Sequence, residues 1–130
     1  MSKGYNCSQI VVLYFSEKYN LNTSQFKLAS QAFESGMFNA DICGAISGAY
    51  MILGLEFGDE GRSTLKSKVL EFTNKFIEII GYKKCKDILN VDISDDQILE
   101  IAKNDGTIAS NCPRCIEVAI SILEDMIIKS

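Results

Sequence analysis

Apolar residues recur at every third or fourth position in the second half of the chain, the spacing that places them on one face of an α-helix. One run predicts a long helix from about Arg62 to Ile80, closed by Gly81. Another predicts a last helix from Cys112 to about Ile128. The apolar faces consist of Leu65, Val69, Phe72, Phe76 and Ile80 in the first helix, and of Ile116, Ala119, Ile120, Leu123 and Ile127 in the second.

Polar residues mark the starts of two helices in the N-terminal half. Asn6 followed by Gln9 matches a capping box and predicts a helix that ends near Asn20. We expect Ile10, Leu13 and Tyr14 on its inner face. The same pattern in Asn22 and Gln25 predicts a second helix, which ends before Gly36.

A third, strongly apolar helix is predicted to begin at Asp41. Within it Gly44 and Gly48 lie one turn apart, so the backbone of a neighbouring element can approach closely on that face. Further along, a short segment contains Cys85 and Leu89. The pair Ser94 and Gln97 then predicts a capped helix that ends around residues 104–106.

The fold class follows from the scarcity of proline and of strand-like patterns. The chain has one proline, Pro113, and strand-like alternation of apolar and polar residues is weak throughout. Its 130 residues are the usual size of one domain and can bury a sizeable core. We therefore predict an all-α, compact helical bundle of about six helices in a single domain spanning residues 1–130.

Charge and hydropathy exclude several classes of partner. A formal net charge of -4 offers no basic surface for phosphates, so nucleic acid is not expected as a partner. The longest uncharged stretch, Ile42 to Leu55, is too short to cross a bilayer, so no membrane insertion is expected. No signal-peptide pattern is evident, and a cytoplasmic location is the expectation.

Candidate chemistry rests on cysteine, because the chain has five cysteines and no histidine. The absence of histidine excludes Cys/His dyads, Ser/His/Asp triads and histidine-containing metal sites. In a reducing compartment the cysteines are expected to be mostly free thiols between reactions, and an odd number argues against a purely structural disulfide framework. Redox centres and metal ligands therefore become the leading uses.

The positions of the cysteines favour reactive thiolates. Cys7, Cys43 and Cys112 each follow a candidate capping residue in the first turn of a predicted helix, where amide groups and the helix dipole should lower the thiol pKa. Cys85 is flanked by lysines, whose charges should act in the same direction. For any one of these cysteines alone, the ordinary interpretation is a small buried apolar side chain. Their shared placement is what favours a reactive site.

The segment Cys112-Pro113-Arg114-Cys115 is a CxxC motif at a predicted helix start. Thioredoxin-type centres use this arrangement, but the strand and crossover of that fold are missing from the predicted elements. A zinc half-site normally has a second CxxC, which is also missing. The motif alone is therefore weak support for either chemistry.

These residues resemble a known family, the C-GCAxxG-C-C proteins, which carry a CGAxxG motif. Asn6-Cys7-Ser8-Gln9 is similar to the family's opening motif, and Cys43-Gly44-Ala45-Ile46-Ser47-Gly48-Ala49 is similar to its central signature. Cys85-Lys86-Asp87-Ile88-Leu89 and Cys112-Pro113 resemble the third and fourth cysteine blocks. The resemblance covers nearly the whole chain, from Asn6 to Ile128.

The resemblance implies a redox role for four cysteines, Cys7, Cys43, Cys85 and Cys112, but it names no reaction. Cys115 stands where the family has an ordinary apolar residue, so we rank it below these four. The segment from Glu34 to Phe38 also departs from the family, whose members have a glycine-rich approach to the central signature.

Three hypotheses remain open from the sequence. In the leading one, Cys43 attacks a disulfide or an oxidised acceptor and Cys112 resolves the intermediate, with an unidentified oxidoreductase or electron-transfer protein as partner. In the second, Cys7, Cys43, Cys85 and Cys112 hold zinc or an iron–sulfur cluster. In the third, the Gly44/Gly48 face docks a partner or a second copy of the chain in a homo-oligomer.

Overall fold

The computed structural model describes residues 4–128, and these form an all-α fold. The helices are α1 (Cys7–Tyr14), α2 (Thr23–Ala29), α3 (Gly44–Phe57), α4 (Arg62–Ile80), α5 (Cys85–Leu89), α6 (Asp96–Asn104) and α7 (Thr107–Ile128). Short 3₁₀ turns follow α2 and α3. The predicted fold class is confirmed, while the predicted domain limits at residues 1 and 130 lie outside the described residues.

Helix α3 occupies the centre of the fold. Residues 44–49 are all buried, and Ile52, Leu53 and Phe57 continue the buried surface toward its end. A helix that is apolar on every side must be covered on every side. Helices α1, α4 and α7 pack against α3, and α1 and α4 also pack against α7.

Buried side chains form two groups. The main core lies between α1, α3, α4 and α7, and it includes Cys43 and Cys115. A smaller group lies between α5, α6 and the beginning of α7, and it includes Cys85 with half-buried Cys112 packed against it. The cysteines are thus divided between the two groups.

The Gly44/Gly48 face of α3 is covered by α1. A Cβ atom at Gly48 would lie 2.8 Å from the backbone oxygen of Ser8, and one at Gly44 would lie 3.3 Å from Cβ of Cys7. The predicted close approach of a neighbouring backbone is confirmed. Because α1 occupies this face, the proposal that it docks a partner or a second copy is wrong.

Helix α4 has the predicted limits, and Gly81 ends it in a left-handed conformation with φ of 101°. The amphipathic pattern was sufficient to predict α4 because Phe72 and Phe76 are buried in the main core while the opposite side faces solvent. Among residues 4–128, no helix is long and apolar enough to span a bilayer.

The limits and inner face of α1 differ from the prediction. The helix ends at Tyr14 and gives way to turns instead of continuing to Asn20. Val11, Val12 and Phe15 are buried, whereas Tyr14 is 56% exposed. The apolar residues of this short helix extend around much of its surface, so periodicity alone did not identify the face that meets α3.

Three predicted helix starts were also displaced. Helix α3 begins at Gly44 with Cys43 as its N-cap, rather than at Asp41. The N-cap of α6 is Asp95, whose carboxylate accepts hydrogen bonds from the amides of Gln97 and Ile98, rather than Ser94.

Helix α7 begins at Thr107 rather than at Cys112. The Asp105 carboxylate accepts hydrogen bonds from both the amide and the hydroxyl of Thr107, and this interaction holds the chain at the earlier start. Asn111, predicted as a cap, instead donates its side-chain amide to the carbonyl of Thr107. Pro113 consequently lies inside the helix.

We expect Gly48→Ala to lower the free energy of unfolding by about 1–3 kcal/mol, because the new methyl group would be forced against the backbone of Ser8. Gly54→Ala is the matched control in the same helix, since nothing lies within 4 Å of its Cβ position. This control should be neutral or stabilising by up to about 1 kcal/mol. Urea titration of both variants measures the difference, and equal effects would contradict the close packing of α1 on α3.

Candidate cysteine pocket

The start of α1 is fixed by a complete capping box. The Asn6 side chain accepts a hydrogen bond from the amide of Gln9, and the Gln9 side chain accepts one from the amide of Asn6, both at 2.9 Å. The same side chains donate to the carbonyls of Gln31 and Lys27, which ties α1 to the α2 region. Cys7 is therefore held in the first turn of α1, as predicted.

A two-residue bridge brings Cys43 and Cys85 together. The Cys43 amide donates to the carbonyl of Lys83 at 2.8 Å, and the Cys85 amide donates to the carbonyl of Asp41 at 2.7 Å. These bonds form an isolated antiparallel bridge between Ile42 and Lys84. Two cysteines far apart in sequence thus lie at the starts of adjacent helices, α3 and α5.

Helix α7 supplies the other two cysteines. Cys112 and Cys115 are three residues apart and therefore lie on the same face of the helix. Cys112 is half-buried and Cys115 is 2% exposed, whereas Pro113 and Arg114 between them face solvent. The prediction that Cys112 occupies the first turn of a helix is wrong, because α7 begins five residues earlier.

All five cysteines line one cavity of about 270 Å³, which is bordered by both the main core and the smaller buried group. The volume is enough for a small molecule, because one water occupies about 30 Å³ of liquid. The other walls are mostly apolar and come from Ile88, Leu89, Ile93, Leu99 and Ile108. Glu34 and Lys103 are charged residues in the lining.

The segment before α3 forms one wall of the cavity. Ser35, Gly36, Met37 and Phe38 have positive φ angles between 53° and 64°. At Gly36 a Cβ would overlap the backbone of Asp41, so glycine is required there.

The sulfurs within the cavity form two hydrogen-bonded pairs. A hydrogen bond joins the thiols of Cys7 and Cys112, and another joins the thiols of Cys43 and Cys115. We call Cys7 and Cys112, both half-buried, the outer pair, and Cys43 and Cys115, both buried, the inner pair. All five cysteines are free thiols in this structure.

In the inner pair, one thiol favours ionisation and the other retains its proton. The hydrogen bond from Cys115 lowers the pKa of the Cys43 thiol and outweighs the opposing effect of burial. The amides of Ala45 and Ile46 lower this pKa further, although neither makes a formal capping hydrogen bond with the sulfur. The same hydrogen bond, together with burial, raises the pKa of Cys115. The prediction of a stabilised Cys43 thiolate is confirmed in direction, but its main cause is another thiol.

For Cys7 and Cys85 the predicted direction was wrong. The hydrogen bond to Cys112 raises the pKa of Cys7, and burial adds to this effect. Burial, followed by the charges of Cys43, Cys7 and Asp92, raises the pKa of Cys85 to about 12. The neighbouring lysines do not offset the loss of hydration, because Lys83 and Lys86 are exposed and their charges are screened by water.

A metal centre requires several donor side chains close to one another. Within residues 4–128, no three cysteine, aspartate or glutamate side chains are grouped closely enough to hold a metal ion. The residues present do not fit the four-thiolate zinc or iron–sulfur centre, although all four proposed ligands border the same cavity.

The sequence that forms this pocket matches a family model. Residues 5–126 match the family model described as "Putative redox-active protein (C_GCAxxG_C_C)". The chain belongs to the C_GCAxxG_C_C family. No curated protein and no solved structure shows a significant match to it.

The signature of the C_GCAxxG_C_C family has a clear structural role in this chain. Asn6 and Gln9 fix the start of α1, and Gly44 and Gly48 admit α1 against α3. These contacts carry Cys7 to the same cavity as Cys43. The motif therefore encodes the packing that assembles the cysteine pocket as well as the cysteines themselves.

The sequence did not reveal the interaction of Cys115 with Cys43. Cys115 had been ranked below the other four cysteines. The sequence did contain a signal that Cys115 and Cys112 face the same site, because residues three positions apart on a helix lie on the same face. The contact itself depends on the packing of α7 against α3, which the local sequence does not encode. Catalytic roles for Cys7, Cys43, Cys85, Cys112 and Cys115 stay predictions.

Cys85 should make the folded protein sensitive to alkaline pH. Its folded-state pKa of about 12 lies above the ordinary value of 9.0, so its contribution to stability is complete below pH 9 and is lost as pH rises toward 12. The expected slope for this one group is about 1.4 kcal/mol per pH unit. Urea titrations of wild type and Cys85→Ala between these pH values isolate the effect; parallel losses of stability in both proteins would contradict the raised pKa.

Proposed function

We propose that this protein is a thiol–disulfide redox protein that oxidises its clustered cysteines with a small disulfide compound and is reduced again by a thiol or an electron-transfer partner. The observation that carries the proposal is the presence of two hydrogen-bonded cysteine pairs in one cavity. Because the two thiols of each pair interact within the same cavity, each is the natural partner of the other in a disulfide.

Each step of disulfide exchange requires a thiolate, and within the pocket Cys43 is a thiol whose pKa the structure lowers. A thiolate attacks one sulfur of a disulfide, displaces the other sulfur as a thiolate and leaves a mixed disulfide. The paired cysteine then attacks that mixed disulfide and releases the second half of the substrate. In total, one substrate disulfide is reduced to two thiols while one protein dithiol is oxidised to a disulfide.

The interactions in the pocket favour a different resolving thiol for Cys43 from the one predicted from sequence. From sequence, Cys112 was the resolving thiol for Cys43. The contact between Cys43 and Cys115 supports Cys115 in that role, and the contact between Cys7 and Cys112 supports a second dithiol. Cys85 has no hydrogen-bonded cysteine partner among the interactions found for it.

Complete oxidation should therefore form two disulfides and leave one thiol. Fully reduced protein, incubated without air with excess hydroxyethyl disulfide, should lose four of its five alkylatable thiols, and dithiothreitol should restore them. Peptide mapping by mass spectrometry should find Cys7 linked to Cys112, Cys43 linked to Cys115, and Cys85 free. Cys115→Ser should abolish the second link and keep the first.

Two results would overturn the proposal. One is that folded protein forms no internal disulfide, or forms one that dithiothreitol cannot reverse. The other is near-stoichiometric zinc, or iron with acid-labile sulfide, in protein purified without air or chelator, if the metal is lost in cysteine variants. That second result would favour the metal-binding hypothesis.

A further inference from the structure

The two cysteine pairs differ in their access to solvent. Cys7 and Cys112 are half-buried, whereas Cys43 is 6% and Cys115 is 2% exposed. Both pairs border the same cavity, so a molecule entering from solvent has easier access to the outer sulfurs than to the inner ones. Since disulfide exchange needs direct contact between sulfurs, this difference affects which pair reacts first.

The pairs are also adjacent to each other. The pKa of Cys7 is raised mainly by its hydrogen bond to Cys112 and by burial, with a smaller effect from the charge of Cys43. The charge of Cys7 likewise has a smaller effect on Cys115. Packing explains this proximity, because Gly44 follows Cys43 directly and lies against Cβ of Cys7. An exchange between the pairs is therefore internal to the cavity.

We propose that the pocket is a two-stage disulfide relay, in which the outer pair exchanges with the small disulfide in solution and the inner pair exchanges only with the outer pair. This inference rests on the proposed function and specifies its order. The chain would hold two disulfides, equivalent to four electrons, when fully oxidised.

The first stage oxidises the outer pair. The Cys112 thiolate attacks the substrate disulfide, forms a mixed disulfide and displaces one substrate thiolate, which takes up the proton that Cys112 released. The Cys7 sulfur then attacks Cys112, displacing the second substrate thiolate, which takes up the proton from Cys7. The outer dithiol loses two electrons, and the substrate gains them.

The second stage moves the disulfide inward without any external electron acceptor. The Cys43 thiolate attacks Cys7 in the outer disulfide and displaces Cys112 as a thiolate. The Cys115 sulfur then attacks Cys43, displacing Cys7, and the protons of Cys43 and Cys115 pass to Cys112 and Cys7. The outer dithiol is regenerated, so a second substrate disulfide can oxidise it.

The order of disulfide formation tests the relay. Reduced wild-type protein is mixed with hydroxyethyl disulfide without air, quenched with acid at intervals, alkylated and mapped by mass spectrometry. The Cys7–Cys112 link should appear first, and the Cys43–Cys115 link should follow after a lag. Appearance of the inner link first, or without a lag, would overturn the relay while leaving the proposed function intact. No internal disulfide at all would overturn both.

Two double variants, each lacking one pair, provide the matched comparison. In C7S/C112S the inner link should form more slowly by roughly tenfold or more, because the buried thiols must then react with the substrate directly. In C43S/C115S the outer link should still form, with no second internal link following it. An undiminished inner rate in folded C7S/C112S would overturn the relay. Thermal unfolding shows whether each variant is folded. If either variant fails to fold, the wild-type time course alone decides whether the relay operates.

Discussion

The contact of α1 with the glycine face of α3 determines how the rest of the molecule is arranged. The first half of α3 is buried, and α1 reaches it closely enough that Gly48 has no room for a side chain beside Ser8. This packing sets the distance between Cys7 and the start of α3. The glycine spacing thus controls the chemistry of the pocket through geometry, although glycine itself supplies no reactive group.

The cysteine pocket borders two groups of buried side chains. The main core fixes Cys43 and Cys115, whereas Cys85 and Cys112 pack with the smaller group around α5 and α6. The bridge between residues 42 and 84 joins these regions through two backbone hydrogen bonds. Because these bonds involve the amides of Cys43 and Cys85, side-chain substitution at either position leaves the connection between the backbones in place.

Some features controlled by local sequence were predicted correctly, whereas several helix starts and the features that depend on long-range packing were not. The capping box at Asn6 and the limits of α4 depend on residues within a few positions of one another. The start of α7 was misplaced because the Asp105 carboxylate binds the amide and hydroxyl of Thr107, whereas Asn111 lies within the helix and caps nothing there. Membership of the family could be read from the motifs, which span residues distributed along nearly the whole chain.

The electrostatics of the site were the hardest feature to predict. Nearby lysines suggested an ionised Cys85, but burial dominates its pKa. The cause of the lowered pKa of Cys43 was equally hidden, because Cys115 was not expected to touch it. Proximity along the chain indicates which charges are available, whereas hydration and thiol contacts depend on the completed fold.

The hydrogen bond between Cys43 and Cys115 has a further consequence in a chain without histidine. With no imidazole to accept a proton, the Cys115 thiol is the group that stabilises ionised Cys43, and it lowers the pKa of Cys43 within a largely apolar cavity. A disulfide between the two sulfurs would remove both of these ionisable groups. The electrostatic potential inside the cavity would therefore differ between the reduced and the oxidised protein.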